Sequence, residues 1–112
     1  MGEAEILDRL FSVIDARRRE RPEGSYVVSL LDGGVAAVAA KVTEEAEESA
    51  DAALSGDAQQ IAQEVADLVF HAWVLLAVSD LEPRAVYAVL EERFGVGGLV
   101  EKAARGKEPH GD

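Results

Sequence analysis

Cysteine is absent from the 112 residues, which excludes a disulfide framework, a thiolate zinc site and a cysteine nucleophile. Positive charge is scarce. Eleven Lys+Arg stand against 22 Asp+Glu, a formal net charge of −11. A chain so acidic repels phosphate backbones and anionic lipid, so we expect neither nucleic acid nor a membrane surface as a partner held by bulk electrostatics. Long hydrophobic runs are missing as well: the longest, Ala72 to Val78, falls far short of the roughly 20 residues that a membrane span needs. The N-terminal MGEAEILDRL carries acids where a signal peptide has a basic region. The cytoplasm is the expected location. There is no strand-like alternation, internal repeat or low-complexity block.

What remains is helical periodicity in a chain long enough for one domain with one core. Ile6, Leu7, Leu10, Phe11, Val13 and Ile14 predict a first helix over about Glu3 to Arg21. Its arginines 17, 18, 19 and 21 suit the negative end of a helix dipole. Pro22 and Gly24 break it. A short apolar segment, Val27 to Leu31, runs into Asp32-Gly33-Gly34. The next helix spans Val35 to about Leu54, with an apolar stripe of Val35, Val38, Ala39, Val42, Ala46, Ala50, Ala53 and Leu54. Asp57 and Gln60 have capping-box spacing ahead of a helix from Ala58 to about Val78. That helix is apolar almost all round in its second half and must be covered on every side, which predicts a subunit interface. Pro83 opens a last helix running to about Phe94. The expected fold is all-α, a four- to five-helix bundle completed by dimerisation. We take residues 1–94 as its domain and 95–112 as a C-terminal tail that is partly ordered at most.

Two groups of carboxylates break the pattern. Glu44, Glu45 and Glu48 fall within one arc of their helix at about 100° per residue, and only Lys41 is close enough in sequence to offset their repulsion. Glu64 and Asp67 lie three residues apart on the most apolar helix, with Gln60 and His71 extending their stripe. An ionised carboxylate in a core costs several kcal/mol unless it is paired or bound to a metal. The short connection makes the two helices antiparallel neighbours, so Glu45 and Glu48 face Glu64 and Asp67. An all-oxygen site selects Mg²⁺ or Mn²⁺ rather than zinc, and Mg²⁺ takes its remaining ligands from water and substrate phosphates. Glu47 and Asp51 read as an ordinary solvated face. His71 reads either as a satisfied core histidine or as a functional group, and the arginines as a solvated helix end or as phosphate contacts.

The stretches Pro22-Glu23-Gly24-Ser25-Tyr26, Lys41-Val42-Thr43-Glu44-Glu45-Ala46-Glu47-Glu48 and Glu64-Val65-Ala66-Asp67-Leu68-Val69-Phe70-His71, together with Leu10-Phe11, Val13-Ile14, Trp73 to Leu76 and Val86-Tyr87, resemble the phosphoribosyl-ATP pyrophosphatase family of the all-α MazG-like nucleotide pyrophosphatase superfamily. The resemblance covers about residues 7 to 93. The chain departs from the family at Thr43, where glycine is usual, at Glu47, where an apolar residue is usual, and over Val35 to Ala40, which lacks charge. The resemblance implies Mg²⁺-dependent hydrolysis of phosphoribosyl-ATP to phosphoribosyl-AMP and pyrophosphate, the second step of histidine biosynthesis, in a homodimer. Many relatives are fused to a zinc-dependent cyclohydrolase, for which this chain has neither the length nor the cysteine, so the stand-alone form is expected. Glu45, Glu48, Glu64 and Asp67 are then the metal ligands, and Glu44 completes the shell or serves as the catalytic base. Lys41 would neutralise the polyphosphate, with Arg17, Ser25, Tyr26 and His71 as further substrate contacts.

Two other readings stay open on the sequence. One is a house-cleaning nucleoside triphosphate pyrophosphatase of the same superfamily; the other is a non-catalytic acidic helical module that dimerises and binds a partner protein. A di-iron bundle is set aside, because it wants Glu-x-x-His motifs where this chain has Glu64-x-x-Asp67.

Overall fold

The computed structural model describes residues 2–95. Its elements are α1 (Glu5–Glu20), α2 (Tyr26–Asp32), α3 (Gly34–Ser55), α4 (Ala58–Val78) and α5 (Pro83–Phe94), with no strand among the described residues. The all-α expectation holds, with five helices. The first four form one compact unit that ends at Leu81, and a second unit begins at Glu82. Apart from Gly95, the expected tail lies outside the described residues.

The segment Val27 to Leu31 belongs to a helix. Ser25 caps α2, its Oγ accepting the Val28 N–H at 3.3 Å. Seven residues make under two turns, too few for a period to show in the sequence. The chain then bends by 119° into α3 through Gly33-Gly34. Gly34 adopts φ +79, a left-handed conformation that a side chain would strain.

Helices α3 and α4 share the most extensive packing in the unit. The turn between them is Gly56-Asp57, so they form an antiparallel hairpin. Gly56 sits at φ +82, and its N–H reaches back to the carbonyls of Ala52 and Ala53. Asp57 is the N-cap of α4, its Oδ1 accepting the N–H groups of Gln59 (3.0 Å) and Gln60 (3.2 Å).

The far end of α4 closes with a Schellman motif. Asp80 stands at φ 58, the Asp80 N–H bonds the Ala77 carbonyl, and the Leu81 N–H bonds the Leu76 carbonyl. Arg18 of α1 reinforces this end, donating to the Ala77 carbonyl and pairing with Asp80 at 3.0 Å. At the other end of α1, the Leu7 carbonyl accepts the indole N–H of Trp73 at 2.9 Å. Ile14, Val38 and Val74, from α1, α3 and α4, are fully buried, with Val27 and Leu30 of α2 close to it.

The inward face of α3 differs from the apolar stripe expected of it. Val38, Val42, Glu45, Ser49 and Ala52 are buried or half-buried, whereas Val35, Ala39, Ala46, Ala50, Ala53 and Leu54 are exposed. The reason is that carboxylate chemistry occupies part of the packed face, so hydrophobicity alone points to the wrong side. By length and composition α4 would pass for a membrane span. It nevertheless packs on α1, α2 and α3 and brings Glu64 and Asp67 to the carboxylates of α3.

In the second unit, Pro83 takes the first turn of α5, where its missing N–H costs nothing. Arg84 and Glu91 of the same helix pair at 3.6 Å.

Candidate metal and nucleotide site

Glu45 projects from the packed face of α3 and is only 7% exposed. Its two carboxylate oxygens have unlike surroundings. Oε1 lies 3.9 Å from Lys41 Nζ and 4.0 Å from His71 Nδ1. Oε2 is buried with no hydrogen-bond partner among the described residues, and so is Oε1 of Glu64 on α4. Oxygens from Glu45, Glu64 and Asp67 lie within 4.8 Å of one another, as do oxygens from Glu44, Glu45 and Glu48. Glu45 is common to both trios.

A buried acceptor without a donor costs about 1–3 kcal/mol, more when charged. Two such atoms on neighbouring side chains call for a positive charge between them. The donors are all hard oxygens, which suit Mg²⁺, Mn²⁺ or Ca²⁺ and not soft or imidazole-seeking metals. The residues therefore fit a divalent cation.

Crowding shows in the electrostatics. The Glu48 carboxyl is held above the ordinary carboxylate range, chiefly by the charge of Glu45, then by burial and by Glu64 and Glu44. Lys41 is pushed the other way in charge terms: its hydrogen bond to Glu44, at 3.4 Å, leads the effects that keep it protonated beyond the usual lysine range.

A pocket of about 310 Å³ adjoins the carboxylates, lined by Glu48, Asp51, Ala52, Ser55, Gln60 and Glu64. The sequence reading missed Asp51 as part of this wall. Its signal was the three-residue spacing from Glu48, which puts both on one side of α3.

On the other flank stands His71, 4% exposed. Its Nδ1–H donates to the Asp67 carbonyl at 2.7 Å, and its Nε2 is hydrogen-bonded with the Tyr26 hydroxyl at 2.9 Å. Tyr26 is stacked on Phe70, with centroids 6.1 Å apart.

A family model of phosphoribosyl-ATP pyrophosphohydrolase matches residues 7–94. The chain belongs to that family. It is 50% identical over 106 residues to the phosphoribosyl-ATP pyrophosphatase of Parvibaculum lavamentivorans, covering 95% of this chain and 97% of the relative. The proteins of the same name from Trichlorobacter lovleyi and Azospirillum brasilense are 46% and 45% identical. Those two alignments cover 89% and 91% of this chain, and 93% and 92% of the relatives.

Within this phosphoribosyl-ATP pyrophosphohydrolase domain, the structure gathers Lys41, Glu44, Glu45, Glu48, Glu64, Asp67 and His71 into one cluster, with Tyr26 joined through His71. Arg17 and Ser25 make no hydrogen bond or ion pair with those carboxylates. Arg17 is exposed in the last turn of α1, and Ser25 spends its hydroxyl on the α2 cap. A second pocket, about 300 Å³, lies beside Arg18 and Arg21. Both guanidinium groups there are already paired, with Asp80 and Asp32.

Proposed function

We propose that the chain hydrolyses phosphoribosyl-ATP to phosphoribosyl-AMP and pyrophosphate in histidine biosynthesis, assisted by Mg²⁺, with Mn²⁺ able to stand in. The observation that carries this reading is the pair of buried, partnerless carboxylate oxygens on Glu45 and Glu64. A polyanionic substrate enters so acidic a cleft only together with cations.

Glu45, Glu48, Glu64 and Asp67 are the residues that would hold the cation. When bound, it neutralises charge on the triphosphate and makes a nearby water easier to deprotonate. Phosphoryl transfer of this kind needs positioning and charge balance more than covalent help from the protein. Glu44 is exposed at the edge of the cluster and takes the role of orienting the attacking water and accepting its proton. Lys41 offsets charge on the polyphosphate as it now offsets Glu44 and Glu45. Arg17, exposed in the last turn of α1, is a candidate second cation for the phosphates.

The enzyme works as a homodimer in the cytoplasm on this reading. Val65, Val69, Ala72 and Leu76 recur at helical spacing along one side of α4, and none of them is buried within the chain. The exposed alanines of α3 and Leu54, 87% accessible, add apolar surface that a second copy would cover.

The deciding experiment measures pyrophosphate release from phosphoribosyl-ATP beside a panel of ordinary and damaged nucleoside triphosphates. Turnover confined to phosphoribosyl-ATP supports the proposal. Preference for the panel would replace it with a house-cleaning activity, and no turnover of any substrate with Mg²⁺ or Mn²⁺ would leave a non-catalytic acidic module.

A further inference from the structure

The unlike environments of the Glu45 oxygens need a cause. A glutamate side chain has three rotatable torsions, and its terminal one is broad. No described residue hydrogen-bonds Oε2, so the polar contacts that orient this carboxylate fall to Oε1. The neighbours of Oε1 are Lys41 Nζ and His71 Nδ1. Lysine carries its charge on a flexible stem and 32% of its side chain is exposed here, so it constrains direction poorly. The imidazole is the rigid wall.

That wall is braced on two sides. Nδ1–H is held by the Asp67 carbonyl, the backbone of a residue whose own carboxylate is in the cluster. Nε2 is held by the Tyr26 hydroxyl from a different helix, and Phe70 packs edge-on to the imidazole, 4.9 Å away, and against Tyr26. Each ring nitrogen already has its partner, and the ring is almost wholly buried. A substrate could engage His71 only by breaking this arrangement.

We infer that Tyr26 and His71 are positioning residues: the Tyr26–His71 bond locks the imidazole against Glu45 Oε1, so that Oε2 is the oxygen left to hold a divalent cation. This assignment rests on the metal-binding reading above and deepens it. It replaces direct substrate contact as the role of these two side chains. It also gives α2 a function. The seven-residue helix carries Tyr26 at its first position, and its Ser25 cap fixes where that hydroxyl arrives.

The test is Mn²⁺ binding to the metal-stripped protein without substrate, read from the free-ion electron paramagnetic resonance signal. Tyr26→Phe deletes only the hydroxyl and keeps the ring on Phe70. It should weaken Mn²⁺ binding about three- to tenfold while the melting temperature of the metal-free protein stays close to wild type. His71→Leu, taken only if its far-UV circular dichroism is native, should weaken binding further, and combining the two should add little to His71→Leu alone. Unchanged Mn²⁺ affinity in Tyr26→Phe with a raised KM for phosphoribosyl-ATP would overturn the inference and restore direct contact. Unchanged affinity with only a lowered melting temperature would overturn it in favour of plain packing. If the wild type itself bound no Mn²⁺, the metal site would fall first, and that result is told apart from the others before any variant is made.

Discussion

Glu45 of α3 and Glu64 of α4 each bury one carboxylate oxygen that no described residue hydrogen-bonds, and the two side chains approach within 4.8 Å. Like charges brought together out of water destabilise the fold that holds them. Replacing Glu64 by Gln keeps the shape and removes one of the charges. We expect Glu64→Gln to stabilise the metal-free protein by about 1 kcal/mol, read as a rise of several degrees in melting temperature in the presence of a chelator. The same variant should lose pyrophosphate release. A drop in melting temperature would show that the two acids are satisfied as they stand.

Divalent cations should reverse the penalty in the wild type. A ligand that binds only the folded state stabilises it by about 2.7 kcal/mol at a hundred times its Kd. For a domain of this size that corresponds to roughly 10 °C or more. Titration with MgCl₂ followed by thermal unfolding checks it, with NaCl at matched ionic strength as the control. The shift should saturate, and Glu45→Gln or Glu64→Gln should flatten it.

A pH dependence follows from Glu48. Its carboxyl binds protons more tightly in the folded chain than in the unfolded one, mainly because Glu45 is beside it. The folded state therefore holds more protons between the ordinary carboxylate value and the raised one, and stability falls as pH climbs through that window. Urea midpoints measured in chelator should decline over this range in the wild type and decline less in Glu48→Gln. With Mg²⁺ present the trend should invert, since protons and the cation compete for the same oxygens.

Glu48→Ala should abolish pyrophosphate release while far-UV helicity remains nearly intact, because Glu48 lines the pocket and is not part of the buried core. Near-wild-type turnover would remove this residue from the site.

Arg18 separates stability from activity. Its guanidinium ties the last turn of α4 to α1 through the Ala77 carbonyl and Asp80. Arg18→Ala should cost about 1–2 kcal/mol in chemical denaturation. The Mg²⁺-induced rise in melting temperature should survive, because none of the carboxylates of the cluster touches Arg18.

Much of this was readable from the chain alone. The start of α4 was marked by Asp57, and Pro83 marked the start of α5, because caps and proline act through local geometry that needs no tertiary partner. The convergence of Glu45, Glu64 and Asp67 was readable too, since a two-residue connection leaves adjacent helices no alternative to lying side by side. The inward side of α3 was not. Periodicity weighs only hydrophobicity, and here Glu45 and Ser49 face in while Leu54 and four alanines face out. The bond between Tyr26 and His71 was equally hidden: 45 residues separate the partners, and nothing local distinguishes a histidine tied to a tyrosine from one that meets a ligand.

The turn at Gly56-Asp57 leaves no slack for α3 and α4 to slide past each other. Their backbones are therefore joined like the jaws of a calliper, tied at the turn and packed along their length. On the proposed metal site, accommodation of a small ion as opposed to a large one would then fall to the torsions of the glutamates, whose side chains have the reach that a short turn denies the backbone.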